Sequence, residues 1–91
     1  MTQQEVLDEL KVIVVERLRF DPLRASEMTL ETTLPKGVEG SLGLDSLDFI
    51  ELSVAIEESF GITIDETQDL SDEFLSLESL SRFILARTTR E

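Results

Sequence analysis

Ser46 lies in the stretch LGLDSLDFIEL, residues 42–52, with one aspartate just before it and another two residues after. A serine hydroxyl in this setting can act as a nucleophile, cap a helix, or receive a group delivered by another protein. Nucleophilic attack needs a base held within hydrogen-bond reach. The chain has no histidine and no cysteine, so only an unusual pairing with one of its two lysines, Lys11 or Lys36, would be left. The spacing also departs from a G-x-S-x-G nucleophile elbow, since two residues separate Gly43 from Ser46. Self-contained catalysis is not expected, and the chain is read as something other than an enzyme.

The structural alternative is a helix cap. Asp45 or Ser46 can accept a hydrogen bond from first-turn amides, with Asp48 completing a capping-box-like pattern. The third possibility uses the same geometry. Unpaired amides and the helix dipole favour an anion at a helix start, so a phosphodiester on the serine would be well placed there.

No other cluster carries a defined chemistry. Asp65, Thr67, Asp69 and Ser71 alternate as in a calcium-binding EF-hand loop. That loop needs glycine at its sixth place and a bidentate glutamate at its twelfth, where this chain has Leu70 and Ser76. No metal site is expected. With no cysteine, disulfides and zinc–sulfur sites are excluded.

Formal charge is −12, from 20 acidic and 8 basic residues. Such a field repels nucleic acid and anionic membranes and attracts basic protein surfaces. The charge is also segregated, for no basic residue occurs between Lys36 and Arg82, a span holding twelve acids. No apolar run approaches the roughly 20 residues needed to span a bilayer. The polar, acidic N-terminus lacks the layout of a signal peptide, which leads to an expected cytoplasmic location.

The elements that must position Ser46 follow from apolar spacing. With 91 residues the chain should form one domain with a thin core. Val6, Leu7, Leu10, Ile13, Val14 and Leu18 recur at helical steps, which predicts a helix from Gln3 to about Arg19, closed by Phe20–Pro22. A long connection follows, roughly residues 21–44, with Leu23, Met28, Leu30, Leu34 and Val38 available to pin it and a short helical turn near Ala25–Met28. The second long helix should run from Asp45 or Ser46 to Phe60, stopped by Gly61, with Phe49, Leu52, Ile56 and Phe60 as its core face. An extended link at Ile62–Ile64 and a short, weak helix within residues 67–75 come next. Leu77, Leu80, Phe83 and Ile84 mark a last helix from Ser76 or Leu77 to about Arg87. The expected fold is an all-α, small four-helix bundle: three main helices, one short, and a long loop between the first and second main helices.

The outer face of the second main helix is not what simple solvation requires. At roughly 100° per residue, Leu47, Glu51, Val54 and Glu58 lie opposite the core stripe, flanked by Ala55 and Asp48 on one side and Ile50 on the other. Apolar residues set among acids suit a docking surface for a basic partner with apolar pockets.

These residues together resemble the acyl carrier protein family. The resemblance rests on DSLD at residues 45–48 followed by ELSVAIEESFGITI, and extends in helix order from about Gln3 to Arg87. It implies that Ser46 receives 4′-phosphopantetheine from coenzyme A, transferred by a separate phosphopantetheinyl transferase using magnesium. The arm's thiol would hold acyl groups as thioesters. By the same resemblance Asp45, Leu47, Asp48, Ile50, Glu51, Val54, Ala55 and Glu58 match the partner-recognition helix. That helix docks on basic patches of enzymes that load, elongate or transfer acyl chains in fatty acid, polyketide or specialised lipid biosynthesis. Residues 1–91 then form a single acyl-carrier domain, acting as a monomer. The sequence departs from housekeeping fatty-acid carriers in its longer lead-in to Ser46, in Val54 for their methionine and in the bulkier Phe49. The alternatives are a peptidyl or D-alanyl carrier, or an acidic interaction module without prosthetic group. Strong acidity on the second main helix favours acyl cargo.

Overall fold

The computed structural model describes residues 2–37, 40–64, 70 and 72–88. Among these, four helices follow in order: α1 (Gln3–Glu16), α2 (Pro22–Ser26), α3 (Ser46–Phe60) and α4 (Leu77–Thr88). The described residues hold no strand, only isolated bridges pairing Thr33 with Ser76 and Pro35 with Leu44. The all-α bundle expected from the apolar spacing is the fold.

Helix α1 packs against each of the other three. Its apolar face buries Val6, Leu7, Leu10, Ile13 and Val14. A reciprocal cap starts it: the Glu5 amide donates to Thr2 Oγ1 at 3.2 Å, and the Thr2 amide donates to Glu5 Oε1 at 2.7 Å. The helix ends at Glu16, three residues before the expected boundary, because the chain turns at Arg19, whose φ is 63°. That left-handed residue lets the Phe20 amide reach back to the Val14 carbonyl at 3.0 Å. Pro22 therefore plays the opposite role from the one expected. It starts α2, where its fixed φ suits a first helical position, and Asp21 caps the helix by accepting from the Leu23 amide at 2.8 Å.

The described residues of the long connection are pinned to the core by several of its scattered apolar residues. Met28, Leu34, Leu42 and Leu44 are buried and Leu30 is partly so, whereas Leu23 is 76% exposed and pins nothing. Its backbone also closes the start of α4. The Leu77 and Glu78 amides donate to the Thr32 and Leu30 carbonyls at 2.9 and 2.8 Å, supplying acceptors that the first turn lacks. Ser76 and Ser79 complete that start with mutual amide-to-hydroxyl bonds of 3.2 Å.

Among the described residues the short helix is α2, beside the helical turn expected near Ala25–Met28. In the segment expected to hold a weak helix, residues 67–75, four of the nine, Thr67, Gln68, Asp69 and Ser71, lie outside the described residues, as do Val38 and Asp65, and with them all four residues of the rejected calcium pattern. The segment's described end makes one turn, in which the Phe74 amide donates to the Leu70 carbonyl at 2.9 Å. Ile62–Ile64 is irregular chain with Ile64 buried. No helix among the described residues is long and apolar enough to cross a membrane.

Gly61 ends α3 in the left-handed region at φ 67°, its amide donating to the Glu57 carbonyl at 3.0 Å. Nothing lies within 4 Å of where a β-carbon would stand, so any penalty there is one of backbone conformation alone. Gly61→Ala should lower stability by about 1 kcal/mol, the left-handed strain less the gain from a stiffer unfolded chain. Urea denaturation of the two proteins measures it.

Candidate functional site

Ser46 is placed by the two residues that anchor the chain just before it. Leu42 and Leu44 are 6% and 1% exposed, while Gly43 and Asp45 face solvent. The Leu42 amide donates to the Thr33 carbonyl and the Leu44 amide to the Leu34 carbonyl, both at 2.9 Å; the Lys36 amide donates to the Leu44 carbonyl at 3.0 Å. Arg24 adds a clamp from α2, donating to the Leu42 carbonyl at 3.1 Å while its guanidinium lies 4.9 Å from the centre of the Phe20 ring. The chain thus reaches Asp45 along a fixed path.

At that point the two candidate caps separate. Asp45 is the N-cap: its Oδ1 accepts from the Asp48 amide at 2.9 Å, and the Asp45 amide donates to Asp48 Oδ2 at 3.2 Å. Ser46 is the first helical residue, exposed, with no hydrogen-bond partner for its hydroxyl among the described residues. The capping explanation of Ser46 therefore falls, and its hydroxyl is left uncommitted. The amides of Ser46 and Leu47 precede any carbonyl the helix can offer them.

The rest of α3 divides more widely than the four-residue stripe implied. Leu52 and Ile56 are fully buried, but Phe49 and Phe60 are only partly so. Phe49 meets Phe74 edge to face, with ring centroids 6.1 Å apart. The buried arc extends instead to Ser53 and Ala55. Ala55 is 0% exposed and offers no surface to a partner, which removes it from the expected recognition face. Its position beside the core stripe, not opposite it, is the reason. Leu47, Ile50 and Val54 are 73%, 54% and 36% exposed, each large for an apolar side chain on a small fold. Asp45 and Glu58 are exposed, and Asp48 and Glu51 half-exposed.

One functional neighbour was invisible in sequence. Arg17, the residue closing α1, reaches across to α3 and holds both acids of the outer face. Its Nη1 lies 2.7 Å from Glu58 Oε1 and its Nη2 lies 3.5 Å from Glu51 Oε2. The hydrogen bond to Glu58 raises the Arg17 pKa, opposed by desolvation and aided by the charges of Glu58 and Glu51. Only the general excess of acid on α3 hinted that a cation from elsewhere would be drawn there.

A profile of the family described as "Phosphopantetheine attachment site" matches residues 8–84, most of the chain. The chain is also 38% identical over 63 residues to an acyl carrier protein of Helicobacter acinonychis, covering 69% of this chain and 72% of that one. A relative in Guillardia theta, again an acyl carrier protein, is 33% identical over 84 residues, or 92% and 93% of the two chains. One in Treponema pallidum is 39% identical over 75 residues, or 79% and 94%. The chain belongs to the acyl carrier protein family.

As a member of that family it is a carrier and not an enzyme, and its cofactor is covalently bound 4′-phosphopantetheine. The start of α3 fits such a group. An exposed, uncommitted hydroxyl is present, two first-turn amides remain for a phosphate, and solvent lies open around them.

The division of labour between Asp45 and Ser46 gives a direct test. Asp45→Ala should lower stability by about 1 kcal/mol through loss of the cap. Ser46→Ala, which removes no hydrogen bond, should leave the melting temperature unchanged. Thermal denaturation of the two unmodified variants distinguishes them.

Proposed function

We propose that Ser46 carries the 4′-phosphopantetheine arm and that Asp45, Leu47, Asp48, Ile50, Glu51, Val54 and Glu58 present it to partner enzymes. One observation carries the first part: at the helix start the cap is supplied by Asp45, and the Ser46 hydroxyl is exposed without a partner. Once bound, the arm supplies a terminal thiol, which this cysteine-free chain lacks, for acyl groups held as thioesters. The protein's own residues then have two tasks. Leu42, Leu44 and Asp45 hold the attachment point at the surface. The outer face of α3 offers acids for encounter and apolar side chains for residence.

The partners this reading requires are a phosphopantetheinyl transferase and acyl-loading, elongating or transferring enzymes with basic docking patches. A partner's active site must sit over the start of α3, because the arm leaves from there. Glu51 and Glu58 are two turns apart, so one basic patch can meet both while Val54 enters a pocket between them. Rim charges act mainly on encounter rate, and a buried apolar anchor acts on dissociation. The named relatives are acyl carrier proteins, which supports acyl cargo over peptidyl or D-alanyl cargo.

Incubation with coenzyme A, magnesium and a broad-specificity transferase should add the mass of one phosphopantetheine to the intact protein. Ser46→Ala should gain none; an adduct on that variant would overturn the assignment. Val54→Asp should slow modification at least several-fold at low and high salt alike, with the melting temperature retained, as measured by initial rates and circular dichroism.

A further inference from the structure

The carboxylates that α3 offers to a basic partner are already engaged by a cation of the same chain. Arg17 sits between Glu51 and Glu58, at 3.5 and 2.7 Å, and uses a different terminal nitrogen on each. All three side chains keep substantial exposure, 36%, 45% and 62% for Arg17, Glu51 and Glu58, so a partner can reach the cluster. On the α3 side no base accompanies these acids, since residues 37–81 contain none. The described ion pairs place only one further arginine on an acid, Arg82 on Glu78 within α4. The guanidinium is thus the charge that interrupts an otherwise acidic face.

We infer that Arg17 is an intramolecular competitor that sets which basic enzymes this carrier meets quickly: a partner cation gains Glu51 and Glu58 only by displacing it. This rests on the docking face proposed above and adds a residue from another helix to it. Three physical points support the displacement. The pairs are solvent-exposed, and such pairs are held weakly and screened by salt. The Arg17 side chain springs from the C-cap residue that follows α1 and is already partly in solvent, so it can turn aside without leaving a charge buried or a core bond broken. A partner lysine or arginine placed against the same acids would face like charge at short range until it did so. Partners that grip through Leu47, Ile50 and Val54 gain from the face without that exchange. Enzymes relying on two or more cations over the second to fourth turns of α3 are held back. Arg17 therefore acts as a specificity determinant through encounter rate.

The test compares second-order rate constants for phosphopantetheine transfer from coenzyme A by one broad-specificity transferase, at low and high ionic strength. Arg17→Gln keeps most of the side-chain stem and removes the charge. It should be modified about threefold to tenfold faster than the parent at low salt, with the advantage vanishing at high salt. Arg17→Lys should behave like the parent, being a cation in the same place. Binding of a hexa-lysine peptide, followed by the carboxyl carbon signals of Glu51 and Glu58, should tighten in the glutamine variant. An Arg17→Gln protein that keeps its circular dichroism but is modified no faster, and binds hexa-lysine no more tightly, overturns the inference. The docking reading has its own control, the paired change Glu51→Gln and Glu58→Gln. If that protein is modified at the parent rate, the docking face is wrong and the competitor role falls with it. If it is slow while Arg17→Gln is not fast, the competitor role alone fails.

Discussion

The burial of Leu44 is the constraint on which the functional end of the molecule depends. This side chain is almost wholly enclosed, and its amide and carbonyl are both tied to the strap that crosses the bundle, at Leu34 and Lys36. The next residue is the cap of α3 and the one after it carries the free hydroxyl. The hydroxyl proposed to carry the arm is thereby fixed two residues from the core. The described parts of the long connection are tied down in the same way. Its carbonyls serve the first turn of α4 and its apolar residues fill the space between helices, so the same strap closes one helix and aims another.

Charge on this fold has to satisfy two opposed requirements. The proposed docking face needs a strongly acidic helix to draw basic partners, yet like charges crowded on 91 residues repel one another and oppose the compact state. Several devices reconcile them. Asp45 and Asp48 spend their charge on the amides at the positive end of α3. Glu57 turns toward the chain beyond the helix and accepts from the Ile64 amide at 2.7 Å. Arg17 bridges Glu51 and Glu58 from α1. What remains for a partner is a face already partly compensated, with Leu47, Ile50 and Val54 standing clear of it.

Membership of a carrier family accounts for absences that would be odd in an enzyme. A chain without histidine or cysteine lacks the usual base and the usual thiol. In a carrier both are supplied from outside, one by the partner and one by the prosthetic group. On the reading proposed above, the polypeptide contributes position, exposure and recognition, which are properties of a helix start and one helix face.

Much of this was determined by the sequence alone. The periodicity of α1, α3 and α4, the glycine stop after Phe60 and the acid-rich outer face are local properties, written in spacing that each helix obeys whatever its neighbours do. The family resemblance around Ser46 is equally local. Tertiary structure decided the rest. Pro22 reads as a terminator until Arg19 adopts a left-handed turn and Asp21 caps a new helix, a choice made by how Phe20 folds back on α1. Ala55 looks like a face residue until the width of the buried arc on α3 is known, and that width is set by α1 and the other parts of the core packed against it. Whether Asp45 or Ser46 caps α3 depends on where buried Leu44 delivers the chain. Arg17 stands 34 and 41 residues from the acids it bridges, beyond any periodic signal. Sequence spacing records contacts within an element, whereas contacts between elements arise only when the core has chosen their distance and angle.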